Sequence, residues 1–314
     1  MDKKTHHQSI FNGFLTALVV ILLSFSTQSQ ILQESLFSTT QLSIEDEEED
    51  EWDKEDYRGF SIALDIGAYF AGKKSASLYN GSCPFEVDGE GTGVRCYTIM
   101  ERLTLNLQDI SFITNYYNIQ GFEAPIDIYP INMRYQPAFL YGANIKYNFD
   151  RWQSIVFDAS FVRVKSIDQF TLRFVGGEVQ QNAQQNIQLF TIWGEEQRFD
   201  LALGYRTAFE INQKSNSYLE FGGSMLGTKM EANKVTVAER NFDLILNGSN
   251  PQQLLSYRPR TAVGFGAYMG AGVEMEFEKG VRMELGAVLY WDKVIIESFN
   301  ERVCNFALVS RFGI

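Results

Sequence analysis

The 314-residue chain has two histidines, and both stand at its start, His6 and His7. The rest of the sequence therefore lacks the imidazole that most general-base and nucleophile–histidine chemistry uses. Metal sites that need histidine are excluded with it. Positive charge is also in short supply: 27 Lys and Arg stand against 39 Asp and Glu, for a net charge of −12. No basic patch is present to neutralise phosphates, so nucleic acid is not an expected partner. No phosphate loop, metal-ligand spacing or glycine-rich cofactor loop is found, and no cofactor is expected. Internal repeats are absent. So is any apolar run beyond residue 29 that could form a transmembrane helix.

The first 29 residues read as a signal peptide and not as part of the fold. Lys3 and Lys4 give a positive start, Phe14 to Phe25 is an apolar run of h-region length, and Thr27-Gln28-Ser29 supplies small residues for cleavage before Gln30. The alternative is an uncleaved anchor helix. Residues 30–57 form an acidic segment, expected to be disordered. Its block Glu45 to Asp56 carries ten carboxylates and one lysine. Such a block repels itself and stays solvated. The remainder of the chain is close to charge balance.

Cysteine is sparse, at three residues. Export implies an oxidising compartment, in which Cys83 and Cys96 can close a small glycine-containing loop as a disulfide. Cys304 falls in an alternating segment at the chain's end and reads as an unpaired apolar side chain.

What the sequence has in quantity is period-two alternation. Thr261 to Phe277 is the longest case. Val263, Phe265, Ala267, Met269, Ala271, Val273, Met275 and Phe277 make one wholly apolar face. The other face is glycine, tyrosine and carboxylate. Alternation marks a strand, because successive side chains leave opposite faces. A soluble sheet would expose the glycine face to water, whereas a membrane barrel turns its apolar face to lipid and a small or polar face inward. Seven further segments behave alike: Phe60 to Phe70, Pro137 to Phe149, Trp152 to Lys165, Arg198 to Glu210, a segment around Leu219 to Met225, Val281 to Tyr290, and Cys304 to Ile314. Long connections follow the first (about 72–135), third (167–192) and fifth (230–259); short turns follow the second, fourth and sixth. Outer-membrane barrels sort their connections this way, with short turns in the periplasm and long loops outside. Trp152, Tyr147 and Trp291, near segment ends, fit interfacial girdles.

The fold expected over residues 58–314 is therefore all-β: an antiparallel eight-stranded transmembrane up-and-down β-barrel with long extracellular loops. With its leader and eight alternating segments, the chain resembles the small outer-membrane barrels of the OmpA/OmpX type, without their C-terminal peptidoglycan-binding domain. Family members end on a phenylalanine that the assembly machinery reads; here Phe312 lies two residues before the final Ile314. The resemblance implies a bacterial outer-membrane location, contact with outer-membrane lipid and with the assembly machinery during biogenesis, and porin-like architecture. It also covers lipid A acylases, deacylases and a protease. These rely on a histidine, so no enzyme activity is expected here.

The inward positions define a candidate lumen charge network: Asp65, Lys146, Asp158, Asp200, Arg206, Glu220, Glu274, Glu276, Arg282, Glu284 and Arg311. An eight-stranded barrel is wide enough for little beyond its own side chains. Buried charges persist only when paired, so these groups are expected to plug the lumen. A narrow ion path or a bound cation is the alternative. In the first long connection Met100, Leu103, Leu107, Ile110 and Ile113 recur at helical spacing, which predicts one short amphipathic helix. That loop either folds over the mouth as a lid or offers an apolar surface to a partner. The function expected is a structural or interaction role: envelope integrity, surface contact, or accessory subunit of an outer-membrane complex. A protein partner would bind through the extracellular loops or the acidic periplasmic segment. The alternative is a narrow channel for ions or small solutes.

Overall fold

A computed structural model describes residues 58–83, 94–125, 129–176, 186–212, 214–247, 255–256, 261–277, 281–296 and 299–313. The leader, the acidic segment 30–57 and the end of the last predicted strand at Ile314 lie outside the described residues. Eight long strands are β1 (Gly59–Phe70), β2 (Ala138–Asn148), β3 (Gln153–Val175), β4 (Ile187–Asn212), β5 (Ser215–Val237), β6 (Thr261–Glu276), β7 (Arg282–Ile296) and β8 (Phe299–Gly313). Each pairs antiparallel with the next, and β8 returns to β1 through partners such as Asp65 opposite Arg311. The ring closes and leaves no strand edge, which is the condition for a sheet to cross lipid. Within the described residues the protein is an eight-stranded transmembrane β-barrel. An even number of antiparallel strands in a single chain is the arrangement of bacterial outer-membrane barrels.

The outside of the ring is apolar. Phe60, Ile62, Leu64 and Ile66 are exposed along β1, as are Phe139, Tyr141, Ile145 and Tyr147 along β2. In water such a surface would be an aggregation liability; in lipid it is the contact face. From Phe60 to Phe70 the strand rises about 33 Å, or about 25 Å along the normal at the usual tilt, which matches the apolar band of an outer-membrane barrel.

Three strands run well past this band. The sequence places long connections at 167–192 and 230–259; instead β3, β4 and β5 continue as strand to Val175, from Ile187, and to Val237. The physical reason is an inversion of polarity with no change of parity. Within the band the odd positions of β3 are apolar and face out: Ile155, Phe157 and Phe161. Beyond Phe161 the exposed odd positions are mostly polar, Arg163, Lys165, Gln169 and Arg173, with Ile167 and Val175 exposed among them, while the even positions Val162, Val164, Phe170, Leu172 and Phe174 are buried. The strand leaves lipid for water, so its apolar side chains change face to pack inward on protein.

What they pack against is the first long connection. It contains α1 (Lys73–Ala76), α2 (Ile99–Leu103) and α3 (Leu107–Tyr117), with short strands at Val94–Cys96 and Gly121–Glu123. Leu78, Tyr79, Ile99, Leu103, Ile113 and Phe122 form one apolar cluster with Phe170, Leu172, Phe190, Ile192, Val235 and Phe242. Burial of this many large side chains, each worth about 1.5–3 kcal/mol, is enough to fold a cap of its own over the barrel. The single amphipathic helix predicted here is two. Thr98 caps α2 in a reciprocal capping box with Glu101, and Asn106 caps α3 by accepting from the Asp109 N–H. Two N-caps eight residues apart start two helices. As a result Leu107, predicted on the apolar face, is 80% exposed.

Candidate functional site

The interior of the ring is lined by the inward parity of all eight strands. Along β6 this parity is glycine-rich because neighbours fill the space. A Cβ at Gly270 would meet the Glu220 side chain, and one at Gly272 or Gly286 the Tyr218 ring.

In the half nearer Gly59, two arginines and a lysine are set among five carboxylates. Arg206 reaches Glu284 at 2.5 Å, Glu220 at 3.3 Å and Glu274 at 3.5 Å. Its guanidinium lies 3.7 Å from the centre of the Tyr218 ring. Arg311 reaches Glu220 at 3.2 Å, Asp158 at 3.3 Å, Glu284 at 3.4 Å and Asp65 at 3.5 Å. Lys146 is 3.2 Å from both Glu274 and Glu284. Asn144 donates to Asp158. These groups are buried or nearly so, and each arginine bridges several strands.

Two residues of the predicted network stand apart. Glu276 and Arg282 face each other at the strand ends 3.9 Å apart, with half and a third of their side chains exposed. They sit beside the β6–β7 turn, where water replaces a buried partner. Glu274, two residues earlier, is served across the lumen by Lys146 and Arg206.

Towards the cap a second polar layer continues the first. Arg198 donates to Glu196 at 2.9 Å, to Asn305 at 3.1 Å and to the Ser75 hydroxyl at 3.1 Å. Glu196 also accepts from the Tyr135 hydroxyl. Asp292 accepts from Ser224 at 2.5 Å and from Asn305 at 3.4 Å. Asn305 in turn accepts from the Gly72 N–H at 3.0 Å. Ser75, Tyr135 and Gly72 belong to the first connection, so the cap is hydrogen-bonded into the lumen. Gly194 of β4 seats Tyr79, whose ring occupies the place a Cβ would take. Burial holds the Tyr79 and Tyr135 phenols well above their ordinary range, so both stay neutral, and Tyr135 donates to Glu196.

Between the layers lies Asp200. It is 6% exposed, and neither carboxylate oxygen has a hydrogen-bond partner among the described residues. The two layers together hold four cations (Lys146, Arg198, Arg206, Arg311) and eight carboxylates (Asp65, Asp158, Glu196, Asp200, Glu220, Glu274, Glu284, Asp292). Glu196, Arg198 and Asp292 are absent from the sequence-derived set. They share the inward parity of Asp200, Arg206 and Glu284, and following that parity past the band would have reached them.

Cys83 and Cys96 form a disulfide with a Cα–Cα distance of 5.8 Å, in the cap and away from the lumen. Cys304 is a free, exposed cysteine on the outer face of β8.

No protein-family model matches the chain, and no curated protein sequence matches it. Several solved structures are similar in fold. Ail, the attachment invasion locus protein of Yersinia pestis, is 10% identical with a TM-score of 0.30, covering 81% of this chain and 98% of that one. Neisserial surface protein A is 9% identical with a TM-score of 0.35, covering 82% and 98%. The outer membrane protein OprG of Pseudomonas aeruginosa is 8% identical with a TM-score of 0.35, covering 82% and 94%. The closed ring of eight antiparallel strands identifies this chain, independently of those likenesses, as a transmembrane β-barrel with a charge-filled lumen.

Proposed function

We propose that this protein is a non-enzymatic outer-membrane barrel with a structural or interaction role, whose working surface is the cap. The observation that carries the reading is the join between cap and lumen. Arg198 binds Glu196 and Asn305 in the barrel and Ser75 in the first connection, so interior and lid form one hydrogen-bonded unit. A barrel built this way presents a rigid surface outside the membrane and offers solutes little room within it. Both termini face the periplasm in this reading. Partners are then outer-membrane lipid around the ring, the assembly machinery during insertion, and a protein at the cap or at the acidic segment. The location of all histidine before residue 8 supports a role without catalysis.

The surplus of carboxylates over cations, with Asp200 unpaired, favours a second reading: a narrow path for cations. Planar-bilayer recording separates the two. A quiet bilayer containing folded protein is expected; steady cation-selective openings would replace the first reading by the second. Co-purification from native membranes in mild detergent then tests for a stable protein partner.

A further inference from the structure

The lumen and the cap leave one outward pair of charges without a role. Along β7 the odd residues face out and along β8 the even ones, as the exposure of Leu289, Trp291, Cys304 and Leu308 shows. Lys293 and Arg302 share that outward parity and are direct cross-strand partners. Side chains so placed have Cβ atoms about 4.5–5.5 Å apart, where like charges repel. Among the described residues no carboxylate on this face offsets them. Their outward neighbours are Trp291, Ile295, Asn300 and Cys304 on the same two strands, and Val263 and Phe265 on β6. Glu301 has the opposite parity and pairs with Lys74 at 3.7 Å. Glu297 lies outside the described residues, four positions beyond Lys293, or about 13 Å of extended chain.

Register sets the height of the pair. Phe70 ends the apolar face of β1 and lies beside Phe306, whose partner on β7 is Leu289. Trp291 and Cys304 are the next outward pair, and Lys293 and Arg302 the one after. Trp291 is 57% exposed, and the Arg302 guanidinium lies 5.0 Å from the centre of its ring. An outward tryptophan at the end of an apolar face marks the membrane interface. Two residues past it are about 7 Å of chain, or about 5 Å along the normal at the usual tilt. Both cations therefore stand in the headgroup layer, which adds about 5–8 Å to each side of the hydrocarbon. Arginines elsewhere on the two rims have carboxylates of their own. Arg163 pairs with Glu195 on this side of the band, and Arg151 with Glu210 at 3.4 Å and Arg282 with Glu276 at 3.9 Å on the other. Two like charges held side by side at this height suit an anion that belongs to the membrane.

We propose that Lys293 and Arg302 bind the phosphate group of an outer-leaflet lipid. The guanidinium takes phosphate oxygens in its fork, and the ammonium takes another as a point charge. The anion removes the repulsion between the two cations. Trp291 and the exposed Phe265 lie against the first carbons of the same lipid. The inference rests on the barrel spanning the outer membrane.

The test uses the full chain folded in neutral phosphatidylcholine nanodiscs, with phosphorylated lipid A as the added probe and native mass spectrometry to count retained lipid. The Lys293→Gln/Arg302→Gln double variant is expected to lower retention about tenfold, the scale of one lost charge-assisted hydrogen bond. A Lys293→Arg/Arg302→Lys exchange keeps most of it, and a Lys214→Gln/Arg282→Gln control at the opposite rim leaves it unchanged. Dephosphorylated lipid A on the unsubstituted protein should bind like the double glutamine variant. Full retention by that variant, equal retention of the dephosphorylated lipid, or full displacement by an equal concentration of inorganic phosphate overturns the proposal. So does a rise in retention in Glu297→Gln, which would make that carboxylate the partner of the two cations. Heat-modifiable gel migration is measured on every sample. Failed retention with that shift intact strikes the lipid site alone; loss of the shift in the unsubstituted chain strikes the membrane barrel and the site with it.

Discussion

Arg206 shows how the interior is held. Three carboxylates from three other strand positions converge on it, and Arg311 shares two of them. Removing one partner of a buried charge group strands the rest, at a cost of about 3–5 kcal/mol. Arg206→Ala is therefore expected to destabilise the barrel by that amount in urea titrations in lipid vesicles. Arg282→Ala, at the exposed rim, should cost at most about 1 kcal/mol. Equal losses would mean that the interior is wet and its pairs screened. Asp200 makes the opposite case: Asp200→Asn replaces an unpartnered buried carboxyl group by an amide that cannot ionise and should cost no stability. A loss of stability there would show that the carboxylate holds a cation in the resting protein. Most of this residue-level picture is legible in the sequence, since parity alone separates Asp65, Lys146, Asp158 and Glu220 from the lipid face. Pairing is less legible, because Arg206 meets Glu274 and Glu284 across the lumen, and no periodicity along one strand reports a contact across it.

At the scale of elements, the membrane-spanning parts were readable and the extensions were not. In the band one rule holds, apolar out and polar in. Beyond Phe161 the rule reverses, and a reading that follows the apolar face reports the strand's end where it is only the membrane's end. The cap is held to these extensions at a few places, and the seat of Tyr79 on Gly194 is one that a single change can remove. Gly194→Val should displace Tyr79, speed limited proteolysis within residues 94–125, and leave heat-modifiable migration of the barrel intact. Unchanged proteolysis would show that the apolar cluster holds the cap without that seat. The Cys83–Cys96 bridge, 13 residues apart, closes a loop worth roughly 3 kcal/mol in the chain-entropy account. Cys83→Ser is expected to loosen the same region and spare the barrel. Mass mapping of unreduced peptides that linked either residue to Cys304 would contradict the arrangement.

For the whole molecule, closure of the ring follows from register: each strand's polar parity has to face one interior, so eight alternating segments admit few other solutions. Topology gives its own test. An epitope tag placed beside Glu45 should stay hidden on intact cells and become reachable when the outer membrane is opened; labelling of intact cells would invert the orientation.

The reversal of polarity along β3 to β5 also governs how the protein gets into place and how it leaves. The outward residues above the band include Arg163, Lys165, Arg173 and Lys234, all of which end on the far side of the bilayer from the termini. To arrive there they must cross the hydrocarbon, where each costs about 2.5–3.5 kcal/mol at its centre. On the way back they would meet that barrier again, now with the cap folded and too bulky to follow. The cap therefore acts as a rivet head: it makes extraction slow whatever the equilibrium favours. A barrel with Arg163, Lys165 and Arg173 replaced by glutamine should be pulled from vesicles by denaturant faster than its equilibrium stability alone would account for.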